Sequence, residues 1–168
     1  MRHDTLRLRL IKSLTVTLLL AVMTIFTVER FRIGIDLQSV QCLDRGRVFL
    51  IDLAARDFER GDLIVFDQPM LEGETEIRPT RMIKEVIGLP GDQVAVIDEA
   101  IAVNQIIRVK GFPHRREKRI KLPKIHYPMI LGPTEYFAIG THPRALDSRY
   151  LGPISDQQIQ GKAHALFD

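Results

Sequence analysis

The chain has 168 residues, 45% of them hydrophobic and 27% charged, which suits one packed core, leaves no length for two, and excludes wholesale disorder. A single cysteine, Cys42, excludes an intrachain disulfide. The formal charge is +3, but residues 108–124 set Arg108, Lys110, Arg115, Arg116, Lys118, Arg119, Lys121 and Lys124 against Glu117 alone, so that stretch carries +7 and the remainder −4. The pI of about 9.2 therefore describes one segment, and no nucleic-acid partner is expected from it.

From Ser13 to Val28 no residue is charged, and nearly all are apolar or threonine. As a helix this run spans roughly 24 Å at about 1.5 Å per residue, slightly short of a ~30 Å hydrocarbon core, and Lys12 and Arg30 are placed to snorkel at its ends. Threonine is tolerated there because its hydroxyl bonds back to the preceding turn. A cleaved signal peptide has the same basic start, here Arg2, Arg7, Arg9 and Lys12, but the chain continues Val28-Glu29-Arg30-Phe31-Arg32 with no small-x-small site. A buried helix of a soluble protein is the plainer alternative, opposed by the charges that bracket the run. The reading is a basic cytoplasmic N-terminus over 1–12, a transmembrane anchor over 13–30, and a domain over 31–168 on the far side, oriented by the positive-inside rule.

Beyond the anchor the apolar runs shorten to strand length. Val48–Ile51, Leu63–Phe66, Met82–Ile87, Val94–Ile97, Ile106–Val109 and Tyr136–Ile139 are rich in β-branched or aromatic residues. Turn residues separate them. Leu89-Pro90-Gly91-Asp92 has proline and glycine where a type II turn wants them, Arg60-Gly61-Asp62 precedes one strand, and Gly132-Pro133-Thr134 precedes another. Ser155–Gln160 is the one stretch that looks helical. The fold class is mainly β, one domain hung from one membrane helix.

Three sites carry candidate chemistry. Gln38-Ser39-Val40 follows the anchor by a few residues, although a lone serine is normally a solvated hydroxyl. Lys84 lies inside an apolar strand that ends in the Pro-Gly turn; its plainer reading is the solvent face of an edge strand. Gly140-Thr141-His142-Pro143-Arg144-Ala145-Leu146-Asp147-Ser148-Arg149-Tyr150 is a polar stretch directly after a strand, otherwise a long surface connection. The five histidines, at 3, 114, 126, 142 and 164, show no ligand spacing, so neither metal nor cofactor is expected.

The order of these segments resembles the type I signal peptidase family over nearly the whole chain. Arg60–Phe66 is similar to its RGD-strand box, Ile83–Asp92 to its lysine box, and Asp147–Ile154 to its C-terminal box, followed by Gly161-Lys162-Ala163 as the last strand. The short length, single anchor and Gly-Thr-His-Pro wording resemble the conjugative-transfer, TraF-like branch that matures pilins. The resemblance implies a signal-peptidase-like β domain with a Ser/Lys dyad, in which Ser39 attacks the scissile carbonyl and Lys84 accepts its proton. A lysine at its ordinary pKa near ~10.4 is almost never neutral at pH 7, so the dyad demands a desolvated lysine, and Met82, Ile83, Val86 and Ile87 are the apolar neighbours in sequence. Asp147 and Arg149 match the family's acidic and basic pair and are read as a buried support; Gln38 and the Ser39 N–H are left to stabilise the oxyanion.

Four positions depart from the family pattern. Val40 follows the serine in place of methionine, Leu37 replaces a hydroxyl two residues before it, Ala145 replaces the serine that orients the lysine, and Thr141 stands where the family has aspartate. The implied activity is an inner-membrane serine endopeptidase with its catalytic domain on the periplasmic side. Its partners would be a signal-peptide-bearing precursor, prepilin in particular, and membrane lipids. The alternatives are a general type I signal peptidase, a catalytically inactive membrane-tethered scaffold of a conjugation or secretion complex, a Ser39–His142–Asp147 hydrolase, and a self-cleaving repressor-like protein. The last is disfavoured by the anchor. The basic segment 108–124 reads as a solvated hairpin or loop, with anionic headgroups, at about 1 kcal/mol per basic residue, as the sharper alternative.

Overall fold

The computed structural model describes residues 2–36, 42–68, 80–112, 122–143 and 145–167. The chain divides after Arg32 into two compact units. The first is built on helix α1 (Arg2–Arg30), which starts well before the expected anchor boundary because the basic residues that precede the apolar run are also good helix formers. Over Arg9–Arg30 it is long and apolar enough to cross a membrane. Leu14, Leu18, Val22 and Phe26 are all exposed, unlike the side chains of a core helix. The hydroxyls of Thr15, Thr24 and Thr27 donate to the carbonyls of Ile11, Leu20 and Met23 at 2.9, 2.8 and 2.8 Å, so these polar groups are satisfied within the helix itself.

The remainder is mainly β. Its strands are β1 (Phe31–Ile35), β2 (Val48–Asp52), β3 (Leu63–Gln68), β4 (Thr80–Gly88), β5 (Gln93–Ile97), β6 (Ala100–Val103), β7 (Ile106–Lys110), β8 (Met129–Ile130), β9 (Glu135–Ile139), β10 (Ile154–Ser155) and β11 (Ile159–Ala165). Seven form one sheet in the order β1-β2-β11-β3-β4-β9-β10, and four form a second in the order β7-β6-β5-β8. All six runs expected as strands are strands. Ser155–Gln160 differs from the helical expectation: only Asp156–Gln158 makes a 3-10 turn, and Ile159 already begins β11. That last strand sits between β2 and β3 and pairs antiparallel with both, so long-range hydrogen bonds override a weak local preference.

The turns follow their residues. Asp92 N–H donates to the Leu89 carbonyl at 3.0 Å, and Gly91 takes φ +84°, the conformation the Pro-Gly pair anticipates. Arg60 then ties two of the sequence boxes together. Its guanidinium donates to Asp92 at 2.6 Å and to the Ile87 carbonyl at 2.8 Å. Asp92 also accepts from Leu89 N–H and the Asn104 amide, at 2.6 and 2.8 Å. Burial pushes the Asp92 carboxyl up, but these donors and the positive charge of Arg60 together hold it below the ordinary carboxylate value.

Candidate active site

Lys84 lies on β4, between β3 and β9, in the middle of the larger sheet. It is 3% exposed, so the solvent-facing edge-strand reading is wrong. Side chains alternate across a pleated strand, which puts Lys84 on the same face as Met82 and Val86. Antiparallel register sets Ile64 directly across from it. Met82, Val86 and Ile64 belong to one apolar cluster with Phe58, Phe66, Ala138, Ile154 and Ile159. Lys84 thus extends from a hydrophobic sheet face.

The lysine amine lies beside the start of the polar stretch after β9. A Cβ placed on Gly140 would stand 3.5 Å from Lys84 Nζ, 2.8 Å from the Cys42 carbonyl oxygen and 2.5 Å from the Ala145 Cβ. No side chain fits at 140 without moving one of these groups. Two segments distant in sequence, around Cys42 and Lys84, therefore converge on the stretch that begins at Gly140. Residues 38 and 39, the sequence-expected Gln38 and Ser39, lie outside the described residues.

Thr141 and Pro143 are exposed, but from Ala145 onward the stretch is not a surface connection. Ala145, Asp147, Ser148, Arg149 and Tyr150 are all buried, and helix α2 (Ser148–Leu151) forms there with Asp147 as its N-cap. Asp147 and Arg149 are both fully buried and pair at 2.8 Å. One Asp147 oxygen accepts Gly140 N–H at 3.0 Å; the other accepts Arg149 Nε at 2.9 Å and the Arg149 backbone N–H at 3.1 Å. The guanidinium also donates to the Gly111 and Ala145 carbonyls at 3.3 and 3.4 Å. Burial works against the Arg149 charge, and the hydrogen bonds and charge of Asp147 outweigh it, so its pKa moves up. Ser148 contributes an acceptor, taking Ala138 N–H at 3.0 Å. Among the described residues no buried side-chain nitrogen or oxygen lacks a hydrogen-bond partner.

This geometry gives the acid–base pair a definite task. Asp147, locked by Arg149, holds the Gly140 amide, and Gly140 backs the lysine amine. The Asp147 carboxylate is committed to Arg149 and Gly140, which weighs against its use as the acid of a histidine triad. Sequence reasoning singled out Lys84, Asp147 and Arg149 but passed over Gly140 and the Cys42 carbonyl. The signal for Gly140 was a glycine closing an apolar strand just before a polar stretch. For a backbone carbonyl there is no sequence signal. Among the described residues, no three His, Cys, Asp or Glu side chains cluster as metal ligands would.

Comparison with known proteins adds the family. A family described as "Signal peptidase, peptidase S26" matches residues 7–167. Signal peptidase I of Rickettsia bellii (strain OSU 85-389) is 39% identical over 98 residues, which cover 57% of this chain and 30% of that protein. Signal peptidase I of Rickettsia massiliae (strain Mtu5) is 37% identical over 98 residues, 57% of this chain and 32% of the other. The matched part is thus about a third of the length of these curated relatives. A solved signal peptidase I from Enterococcus faecalis V583 aligns at TM-score 0.40 and 22% identity, covering 63% of this chain and 96% of that one. With the family matched from helix α1 through β11, the chain belongs to the signal peptidase family, peptidase S26.

Proposed function

We propose that the protein is a membrane-anchored serine endopeptidase that removes N-terminal signal segments from exported precursors. Ser39 is the nucleophile and Lys84 the general base. The observation that carries this reading is the burial of Lys84 on an apolar sheet face beside Gly140 and the Cys42 carbonyl. A lysine so placed is costly unless used, and desolvation is what a lysine base requires. Ser39 lies three residues before Cys42, a stretch that can reach at most about 11 Å, and chain length therefore permits the hydroxyl to approach the amine.

In this mechanism the neutral Lys84 amine takes the Ser39 hydroxyl proton as the oxygen adds to the scissile carbonyl. The developing oxyanion is met by the Ser39 N–H and the Gln38 amide, each such donor being worth about 10²-fold in rate. Collapse expels the new amino terminus, which leaves with the proton from Lys84. Water, activated by the same amine, then cleaves the acyl-serine and restores the free enzyme. Asp147 and Arg149 take no proton; they fix the backbone against which the amine rests.

The helix over Arg9–Arg30 serves as the anchor, with the basic residues before it on the cytoplasmic side and residues 31–168 in the periplasm. The substrate is a signal-peptide-bearing precursor. Within that class a prepilin of a conjugative system is the finer reading, supported by the Gly140-Thr141-His142-Pro143 wording of the TraF-like branch.

The test is cleavage of a candidate precursor in membranes that carry wild type, Ser39→Ala or Lys84→Met at equal abundance, read by product mass. Wild type should cut, and each variant should lose at least ~10³-fold of the rate. Cleavage by Ser39→Ala rules out that nucleophile. A wild type that cuts general signal-peptide precursors but no prepilin retains the dyad and removes the pilin assignment.

A further inference from the structure

The segment that follows the serine box leaves the site under an unusual restraint. The Cys42 carbonyl accepts His142 N–H at 3.3 Å and the Thr141 hydroxyl at 3.4 Å. The same Thr141 oxygen accepts Asp44 N–H at 2.9 Å. A single hydroxyl thus donates to residue 42 and accepts from residue 44, closing a ring around Leu43. Leu43 is buried in the cluster of Phe49, Ile51, Leu63, Val65 and Ala163, so the ring is pinned from below as well. A separate tie follows at Arg45, which pairs with Glu85 at 3.2 Å, next to Lys84 in β4, and donates to the Gly61 carbonyl at 3.2 Å.

Thr141 follows Gly140 directly, so the loop that backs the lysine amine also grips the chain three to five residues after Ser39. We propose that Thr141 is a positioning residue: its hydroxyl staples residues 42–44, and through them the nucleophile's segment, to the loop against which Lys84 rests. This inference rests on the Ser39/Lys84 reading. Thr141 is exposed, so its hydrogen bonds add little to global stability. Their weight falls on placement, where about 1 Å of misregister costs up to ~10²-fold in rate. A methyl in place of the hydroxyl keeps the shape of the side chain and removes both bonds at once, which makes Thr141→Val the sharp variant and Thr141→Ser its control.

Two measurements on the full chain in nanodiscs test the staple. The first needs no activity. The Asp44 amide should exchange with deuterium at least about tenfold faster in Thr141→Val and return to the wild-type rate in Thr141→Ser, while β3 and β9 amides stay unchanged. The second is precursor cleavage, in which Thr141→Val should lower kcat about 10- to 100-fold, leave KM within about twofold and leave the midpoint of the pH profile in place; Thr141→Ser should restore kcat. Unaltered Asp44 exchange overturns the inference, as does a serine variant that behaves like valine. A moved pH midpoint overturns it too, because Thr141 would then act on the base. Ser39→Ala and Lys84→Met run alongside: full cleavage by either removes the dyad and leaves the exchange result to judge the staple. If both are silent and Thr141→Val cuts at the wild-type rate, the dyad stands and the catalytic role of the staple falls.

Discussion

The loop from Gly140 to Leu151 and the meander β5–β6–β7 both reverse the chain, and they hold the reversal by opposite means. The meander is local. Its two-residue turns, Asp98-Glu99 and Asn104-Gln105, take φ of +49°, +59°, +50° and +67°, and these are the non-glycine residues with positive φ among the described residues. Such turns match the twist of the flanking strands but strain any residue that has a Cβ. Among the described residues, the loop at Gly140 has no such strain. It is held by a fully buried ion pair whose acid reaches back to the Gly140 amide, by a hydrogen bond from Arg149 to the Gly111 carbonyl across the domain, and by Ser148, which accepts the Ala138 N–H of β9. Strained turns suffice to present an edge strand. Placing one glycine against one amine takes anchors that come from several directions and leave no alternative.

The largest effect should come from breaking the buried pair. Asp147→Ala strands the Arg149 charge in the interior and should cost about 3–5 kcal/mol, read by denaturant or thermal unfolding. The double variant Asp147→Leu/Arg149→Met sharpens the comparison. Apolar replacement of both partners should recover much of that stability, but cleavage should remain low because Gly140 N–H has lost its acceptor. Recovery of activity along with stability would show that the pair only fills space.

A smaller effect belongs to the Arg60–Asp92 tie, whose side chains are 33% and 10% exposed. Arg60→Ala should cost about 1.5–3 kcal/mol at neutral pH. The sign of its pH dependence follows from the depressed Asp92 carboxyl. A lowered folded pKa contributes stability that is complete above the ordinary value of 3.8 and is lost as pH falls through the lower folded value. The gap between wild type and Arg60→Ala should therefore shrink in acid below about pH 3.8. A gap constant down to pH 2 would place the energy in packing of the arginine stem instead.

The smallest effect should have the opposite sign. Glu99→Gly and Gln105→Gly relieve positive φ in the meander and should each stabilise by about 0.5 kcal/mol, less than the full strain because glycine adds entropy to the unfolded chain. Cleavage should not change. Loss of activity in either variant would show that the small sheet takes part in the site.

Much of this protein was legible in the residues themselves. A charge-free run bracketed by charged side chains specifies a helix of membrane-spanning length, because the physics involved is solvation of one continuous segment. Six strands announce themselves through β-branched runs between turn residues, and Pro90-Gly91 specifies its turn because glycine alone takes that φ without strain. These are local preferences, and local preferences survive without the rest of the chain. The long boxes around Lys84 and Asp147 pointed to the family before any geometry was known.

What the tertiary structure alone decided is whether those residues are used. Nothing in Met82–Ile87 distinguishes a lysine on a wet edge from one sealed in the middle of a seven-stranded sheet; that depends on β3 and β9 arriving on either side. For β11 the resemblance marked Gly161-Lys162-Ala163 as the last strand, although their composition has no strand pattern; its pairing with both β2 and β3 is what the packed chain adds. The polar stretch after β9 reads equally well as surface or interior until Arg149 is given Asp147 and the Gly111 and Ala145 carbonyls as partners. Burial and pairing are long-range properties. A sequence proposes which groups can pay the cost of desolvation, and only the packed chain determines which of them have found the partners that let them stay.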